Sequence, residues 1–189
     1  MPAKRDKKER ILETMLDLVV ERGFHNAPMS LLAKRSGASP GVIYHYFPSK
    51  EDLIRALYLR LKSAKRQVFL EGYSRQTSPQ QAFTNVWANA YHFYRTQIRE
   101  TRFLEWYENS PFGQEHTITD SPEQEAARTH FLKAFRAKKA GGVLKNLPPE
   151  AIYELSFGLA ARLAKKEETI RPGMLKKIAD AAWSALAAD

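Results

Sequence analysis

The chain has 189 residues, 43% of them apolar, with 30 Lys+Arg against 21 Asp+Glu for a formal net charge of +9. That balance is globular and excludes a wholly disordered chain. The absence of cysteine excludes a disulfide framework, a thiolate nucleophile and a cysteine-held metal. Residues 1–10, MPAKRDKKER, are charged, and no segment approaches the roughly 18 uncharged apolar residues of a membrane span. The expectation is a soluble, cytoplasmic protein of one domain or two small ones.

The hydrophobic period is helical nearly throughout. Ile11, Leu12, Met15, Leu16 and Val19 share one face of a helix over about 5–22, stopped by Gly23. A short helix is expected at 28–35, with Pro28 in its first turn, and ends at Ser36-Gly37. A second spans Pro40 to Phe47, with Ser39 as its N-cap. Ser49 and Asp52 open a fourth helix as a near-capping box, and its apolar face runs through Leu53, Ile54, Leu57 and Leu61 to about residue 71. Beyond the connector 72–79, helices are expected near 80–98, 101–109, 121–140, 149–167 and 173–188, punctuated by proline and glycine pairs. No period-two alternation exists, so the fold is all-α with about nine helices.

Charge is uneven along the chain. Residues 1–71 hold 14 Lys+Arg against 8 Asp+Glu, a net of +6. A basic end suits nucleic acid, an anionic membrane surface or solubility alone. Within it, residues 28–47, PMSLLAKRSGASPGVIYHYF, give helix, glycine turn, helix, the layout of a helix-turn-helix whose second helix enters the major groove. Small residues at Ser39, Pro40, Gly41 and Val42 allow close approach to base edges. Tyr44, His45 and Tyr46 can donate to phosphates, and Lys50 adds charge at the next helix start.

The residues Gly23-Phe24, Ala33, Ser36-Gly37-Ala38-Ser39, Gly41, Ile43-Tyr44, Tyr46-Phe47 and Ser49-Lys50-Glu51-Asp52-Leu53 carry a resemblance to the TetR/AcrR family of bacterial transcriptional repressors, over roughly residues 5–64. The resemblance implies an N-terminal three-helix DNA-binding head (1–64) and a C-terminal effector-binding and dimerisation domain (65–189). It implies a basic arm at Lys4, Arg5, Lys7 and Lys8 on the DNA backbone, phosphate contacts from Tyr44 and Lys50, and base contacts around Pro40, Gly41, Val42 and Tyr46. One departure stands out: Ala27-Pro28 replaces the threonines that commonly open the second helix, leaving Asn26 or Ser30 to supply that phosphate contact.

Residues 80–135 are rich in aromatics. Phe83, Trp87, Tyr91, Tyr94 and Ile98 form one helix face, followed by Phe103, Trp106, Tyr107, Phe112, Phe131 and Phe135. Such a stripe is ordinarily core, but apolar bodies with sparse polar handles also suit a small-molecule site. With the resemblance implying a pocket between these helices, Trp87, Tyr91, Tyr94, Phe103, Trp106, Tyr107, Phe112, Phe131 and Phe135 are the candidate liners. His92, Arg95, Arg99, Arg102, Glu105, Glu108 and His116 are possible polar partners that the sequence does not place.

Near the C-terminus, Ile152, Leu155, Leu159 and Leu163 make an apolar face beside the small Gly158, Ala160 and Ala161, and Ile178, Ala182 and Trp183 make another. The resemblance implies a four-helix homodimer interface there, which would present two heads to a palindromic operator in double-stranded DNA. An effector would then act by shifting the linking helix 50–71. No histidine pair has zinc spacing and no phosphate loop is present, so no enzyme, metal or cofactor is expected. The rival reading is a membrane-surface or partner-binding protein whose basic first helix lies on anionic lipid.

Overall fold

The structure, a computed structural model, describes residues 2–74, 76–110 and 122–188, with side chains at all of these except 2–6 and 122–124. Its helices are α1 (Pro2–Arg22), α2 (Met29–Ser36), α3 (Pro40–Tyr46), α4 (Lys50–Phe69), α5 (Pro79–Thr96), α6 (Ile98–Glu108), α7 (Pro122–Ala134), α8 (Pro149–Tyr153), α9 (Leu159–Ala164) and α10 (Pro172–Leu186). A π-helical turn, Glu154–Gly158, joins α8 to α9 in one helical stretch over 149–164. With that stretch taken as one helix, the described residues hold nine α-helices and no strand.

Local chemistry sets the boundaries. Gly23 ends α1 at φ +78°, and Gly37 ends α2 at φ +66° while donating its N–H to the Ala33 carbonyl at 3.1 Å. A left-handed residue costs glycine no Cβ clash. Ser49 Oγ accepts from Asp52 N–H at 3.0 Å and donates to Asp52 Oδ2 at 2.7 Å, the capping arrangement expected for α4. Ser39 behaves differently. Its hydroxyl makes no capping bond, and its carbonyl starts α3 by accepting from Val42 and Ile43. Pro40 at the first helical position removes one donor that would otherwise need a partner.

The chain divides into two compact units: one comprises the chain through Ser63 together with α6, the other Ala64–Gln97 and the described residues from α7 onward. In the first, Ile11, Leu12, Met15, Leu16 and Val19 are all buried against Leu32, Ile43, Phe47, Leu53, Ile54 and Leu57. The α6 side chains Phe103, Leu104 and Tyr107 complete this core, with Tyr107 stacked on Tyr58 at 4.0 Å.

The second unit is built around α5. Its Phe83, Trp87, Ala90, Tyr91 and Tyr94 pack with Ala160 and Ala164 of α9 and with Leu175, Ala179, Ala182 and Leu186 of α10. Alanines at the contact let the helix axes come close. The Trp87 indole N–H donates to Ser156 O in the π-helical turn at 3.0 Å, and the Tyr91 hydroxyl accepts from Ile170 N–H at 3.1 Å. Both buried polar atoms are thereby satisfied within the core. The expected 121–140 helix stops at Ala134 because a tight loop takes over, with Leu144 N–H donating to Arg136 O at 2.9 Å and Lys138 N–H to Leu144 O at 2.7 Å.

Candidate nucleic-acid interface and ligand cavity

In the first unit, α3 turns one face out. Ser39, Pro40, Gly41, Tyr44 and His45 are exposed and Val42 and Tyr46 half-buried, whereas Ile43 and Phe47 anchor the helix inward. Tyr44 is 49% exposed, and its hydroxyl has no partner among the described residues. Thus Ser39, Pro40, Gly41, Tyr44 and His45 share the solvent side of one short helix, while Val42 and Tyr46 rest partly on the unit's core. Lys8 lies over the Phe47 ring at 5.7 Å, which brings the start of α1 beside the end of α3. The side chains of Lys4 and Arg5 lie outside the described residues. Ser30 is exposed on the first turn of α2. Ala27 is wholly buried, and Asn26 donates to Arg22 O at 3.3 Å, so it closes α1.

Lys50 is only half-buried, and its ammonium donates to Phe24 O at 2.7 Å. A lysine has three donors, so this tie fixes the side chain and leaves donors for phosphate. Four acids of α1 pair inside the unit: Glu9 and Glu13 with Arg60, Glu13 and Asp17 with Arg99, and Glu21 with Arg35. Beside these acids, the Arg99 pKa is raised: burial opposes the charge, but hydrogen bonds to Glu100 and Asp17 outweigh it. The apolar residues Ile11, Leu12, Met15, Leu16 and Val19 of α1 are thus turned into the unit's core. No helix among the described residues is long and apolar enough to cross a membrane.

The second unit contains a cavity of about 460 Å³ lined by Phe83 of α5, Phe131 and Leu132 of α7, Phe135, Ala137, Ala140, Leu144 and Leu147 of the loop, Ile152 and Phe157 of 149–164, and Leu186. Arg136, Tyr153 and Ser156 supply its polar groups. This is the size and composition of a small-molecule site. Of the expected liners, Phe131 and Phe135 stand in its wall. Trp87, Tyr91 and Tyr94 are core residues of α5 instead, since they face α9, α10 and the end of α4. Phe103 and Tyr107 belong to the first unit's core, and Trp106 is 41% exposed there, with Arg102 over its ring at 6.0 Å. Phe112 and His116 lie outside the described residues.

Sequence reasoning passed over Phe83, Arg136, Leu144 and Phe157 as liners; Phe83 carried a signal, standing in the same aromatic stripe. Arg95 holds backbone, not ligand: it donates to Ala164 O, Lys166 O and Glu167 O and so closes α9.

A separate apolar groove of about 440 Å³ runs over Leu155, Leu159, Met174, Ile178, Ala181, Ala182 and Ala185. Four expected interface residues, Leu155, Leu159, Ile178 and Ala182, meet there. Ile152 instead lines the cavity, Leu163 is half-buried against the unit's core, and Trp183 packs on Phe83 and Phe135 at 5.6 and 6.1 Å. Among the described residues no group of three acids or histidines could hold a metal ion.

Comparison with known proteins agrees with this layout. Residues 11–57 match the model for bacterial regulatory proteins of the tetR family, and residues 79–187 match the tetracyclin repressor-like C-terminal domain. An uncharacterised helix-turn-helix transcriptional regulator of Haemophilus influenzae is 24% identical over 188 residues, 97% of each chain. The fatty acid metabolism regulator of Bacillus subtilis is 36% identical over 58 residues, 31% of this chain and 30% of that protein. The crystal structure of a TetR family regulator from Marinobacter aquaeolei superposes with a TM-score of 0.82 at 22% identity, covering all of both chains. The chain therefore belongs to the TetR family of bacterial regulatory proteins, which are DNA-binding transcription regulators and not enzymes.

Proposed function

We propose that the protein is a cytoplasmic homodimeric repressor that leaves a palindromic operator when a small apolar-bodied effector fills the C-terminal cavity. The 460 Å³ apolar cavity carries this reading, because a wholly structural second unit would close over such a space. The exposed face of α3, residues 39–46, reads bases. Tyr44, His45, Lys50, Ser30 and the basic arm at Lys4 and Arg5 hold phosphates. A two-fold dimer forms through the groove of Leu155, Leu159, Ile178 and Ala182, which gives each half-site one head.

Release requires differential affinity: the effector must favour the state that binds DNA poorly, with a coupling of typically about 1–3 kcal/mol. By reciprocity, operator DNA weakens effector binding by the same factor. The test is selection from randomised duplex DNA at about 0.15 M salt, followed by titration of the winners against a scrambled duplex. A two-fold-symmetric winner bound far more tightly than the scramble supports the reading. Weak binding that vanishes with salt on both duplexes would leave only generic electrostatics.

A further inference from the structure

The cavity is apolar within, and among the described residues the one charged side chain in its lining is Arg136. The segment 132–146, the end of α7 and the loop after it, carries five cations, Lys133, Arg136, Lys138, Lys139 and Lys145, and no acid; Glu150 and Glu154 follow in the stretch 149–164. No aspartate or glutamate lines the cavity. Lys145 is already used, donating to Ser184 O and Ala185 O at the end of α10. Arg136 is the cation in the cavity lining; it is exposed, and among the described residues its guanidinium has no hydrogen-bond or ion-pair partner.

The backbone beneath Arg136 is held firmly. Its carbonyl accepts from Leu144 N–H at 2.9 Å, and Gly142 approaches so closely that a Cβ there would lie 2.1 Å from that oxygen. A guanidinium on a fixed loop, beside apolar walls and with no carboxylate in ion-pair distance among the described residues, is set up for bidentate pairing with an anion.

We propose that the effector is an amphipathic anion: an apolar body in the cavity, ending in a carboxylate or phosphate bound by Arg136. This rests on the reading of the cavity as the effector site and adds the charge of the ligand. The interior polar groups fit the assignment. Ser156 Oγ donates to Ile152 O at 2.6 Å, so its proton is committed within the protein. The one strong polar demand stands at the rim.

The test is calorimetric titration of the full chain with four probes sharing one ten-carbon body: decanoate, decyl phosphate, 1-decanol and decylammonium. At least one anion is expected to bind tenfold or more tightly than the alcohol and the ammonium, and the tighter anion identifies the head group. Arg136→Gln should cut anion affinity at least tenfold and leave decanol within twofold. Lys34→Gln, which removes an equal charge from the first unit, should leave both unchanged. Decanol binding as tightly as the anions, or an anion preference that survives Arg136→Gln, overturns the anionic assignment while the effector cavity stands. Failure of all four probes to bind overturns the cavity reading and this inference together.

Discussion

Phe69, the last residue of α4, and Phe157, in the wall of the ligand cavity, hold their ring centroids 5.6 Å apart at an interplanar angle of 31°. Phe69 also meets the rings of Phe93 and Tyr94 edge-on at 5.8 and 5.7 Å, and Lys65 lies over its face at 5.4 Å. The end of α4 is therefore seated on aromatic surface continuous with the cavity lining. α4 starts at Lys50, shortly after α3 ends at Tyr46, so in the proposed mechanism this contact is where a filled cavity would act on α4.

Phe69→Leu is expected to keep decanoate affinity within about threefold and to reduce the coupling between ligand and DNA by about 0.5–2 kcal/mol. DNA affinity measured with and without saturating decanoate gives the coupling directly. An unchanged ratio in the variant would exclude this contact as the route.

Lys50 and Val42 should separate position from sequence. In the proposed assignment Lys50→Ala removes a phosphate donor, so affinity should fall on every duplex and the salt slope should flatten by about 0.9 per lost contact. It also removes the bond to Phe24 O, so thermal melting of the variant should fall as well. Val42→Ala, at a half-buried position of α3, should alter which duplexes are enriched in selection while leaving the salt slope unchanged. Equal behaviour of the two variants on selected and scrambled DNA would refute the division.

The head was legible residue by residue because its constraints are local: Gly37 for a left-handed turn, Pro40 at a helix start, Ser49 and Asp52 as a cap, and an apolar period that fixes the inward face of α1. The cavity was only half legible. An aromatic stripe reveals that α5 buries one face but not what that face meets, and Trp87 and Tyr91 find backbone partners at Ser156 in the π-helical turn and at Ile170 in the connector before α10. That α6 completes the head's core depends on contacts between Phe24 and Phe103, whose ring centroids are 5.5 Å apart across 79 positions of sequence, and no periodicity encodes such a contact. Arg136 was illegible for a similar reason, since its role depends on a loop closing at Gly142.

Trp87 should behave as a core residue. Trp87→Ala is expected to destabilise the second unit by about 3–5 kcal/mol, seen as a lower urea midpoint by far-UV circular dichroism. Trp87→Phe keeps most of the volume but strands Ser156 O, and should cost about 1–3 kcal/mol. A stable Trp87→Ala variant that had lost only its ligand response would restore Trp87 to the binding site.

Asp180 ties α10 to α5, accepting from Lys176 Nζ at 2.7 Å and from Thr84 Oγ1 at 3.2 Å. The Lys176 hydrogen bond is the chief cause holding its carboxyl below the usual aspartate range, with that lysine's charge and the Thr84 bond adding to it against a smaller effect of burial. A carboxyl depressed in the folded state binds its proton more readily when unfolded. Its stabilisation is thus complete above the unfolded value of about 3.9 and is lost as pH falls through the lower folded value. Thermal melting followed downward from pH 5 should show this acid limb, and Asp180→Asn should flatten it. A limb of the same steepness in the variant would assign the acid sensitivity to other carboxyls.

Gly141 and Gly142 should differ although they are neighbours. Gly141 sits at φ +76° with open space around its missing side chain, so Gly141→Ala meets only the left-handed backbone penalty of about 1–2 kcal/mol. Gly142 has an ordinary φ, but a Cβ there would collide with the Arg136 carbonyl carbon and oxygen at 2.5 and 2.1 Å. Those are backbone atoms fixed by the Leu144 hydrogen bond, so the loop itself must open, at a cost of at least about 1–3 kcal/mol. Gly142→Ala should therefore lower the melting temperature more than Gly141→Ala, and it alone should weaken decanoate binding, because opening the loop displaces Arg136, Ala137 and Leu144 together. DNA binding without ligand should survive in both, since the reading helix lies in the other unit. If Gly142→Ala kept wild-type affinity for decanoate, the loop that carries Arg136 could not be part of the ligand's wall.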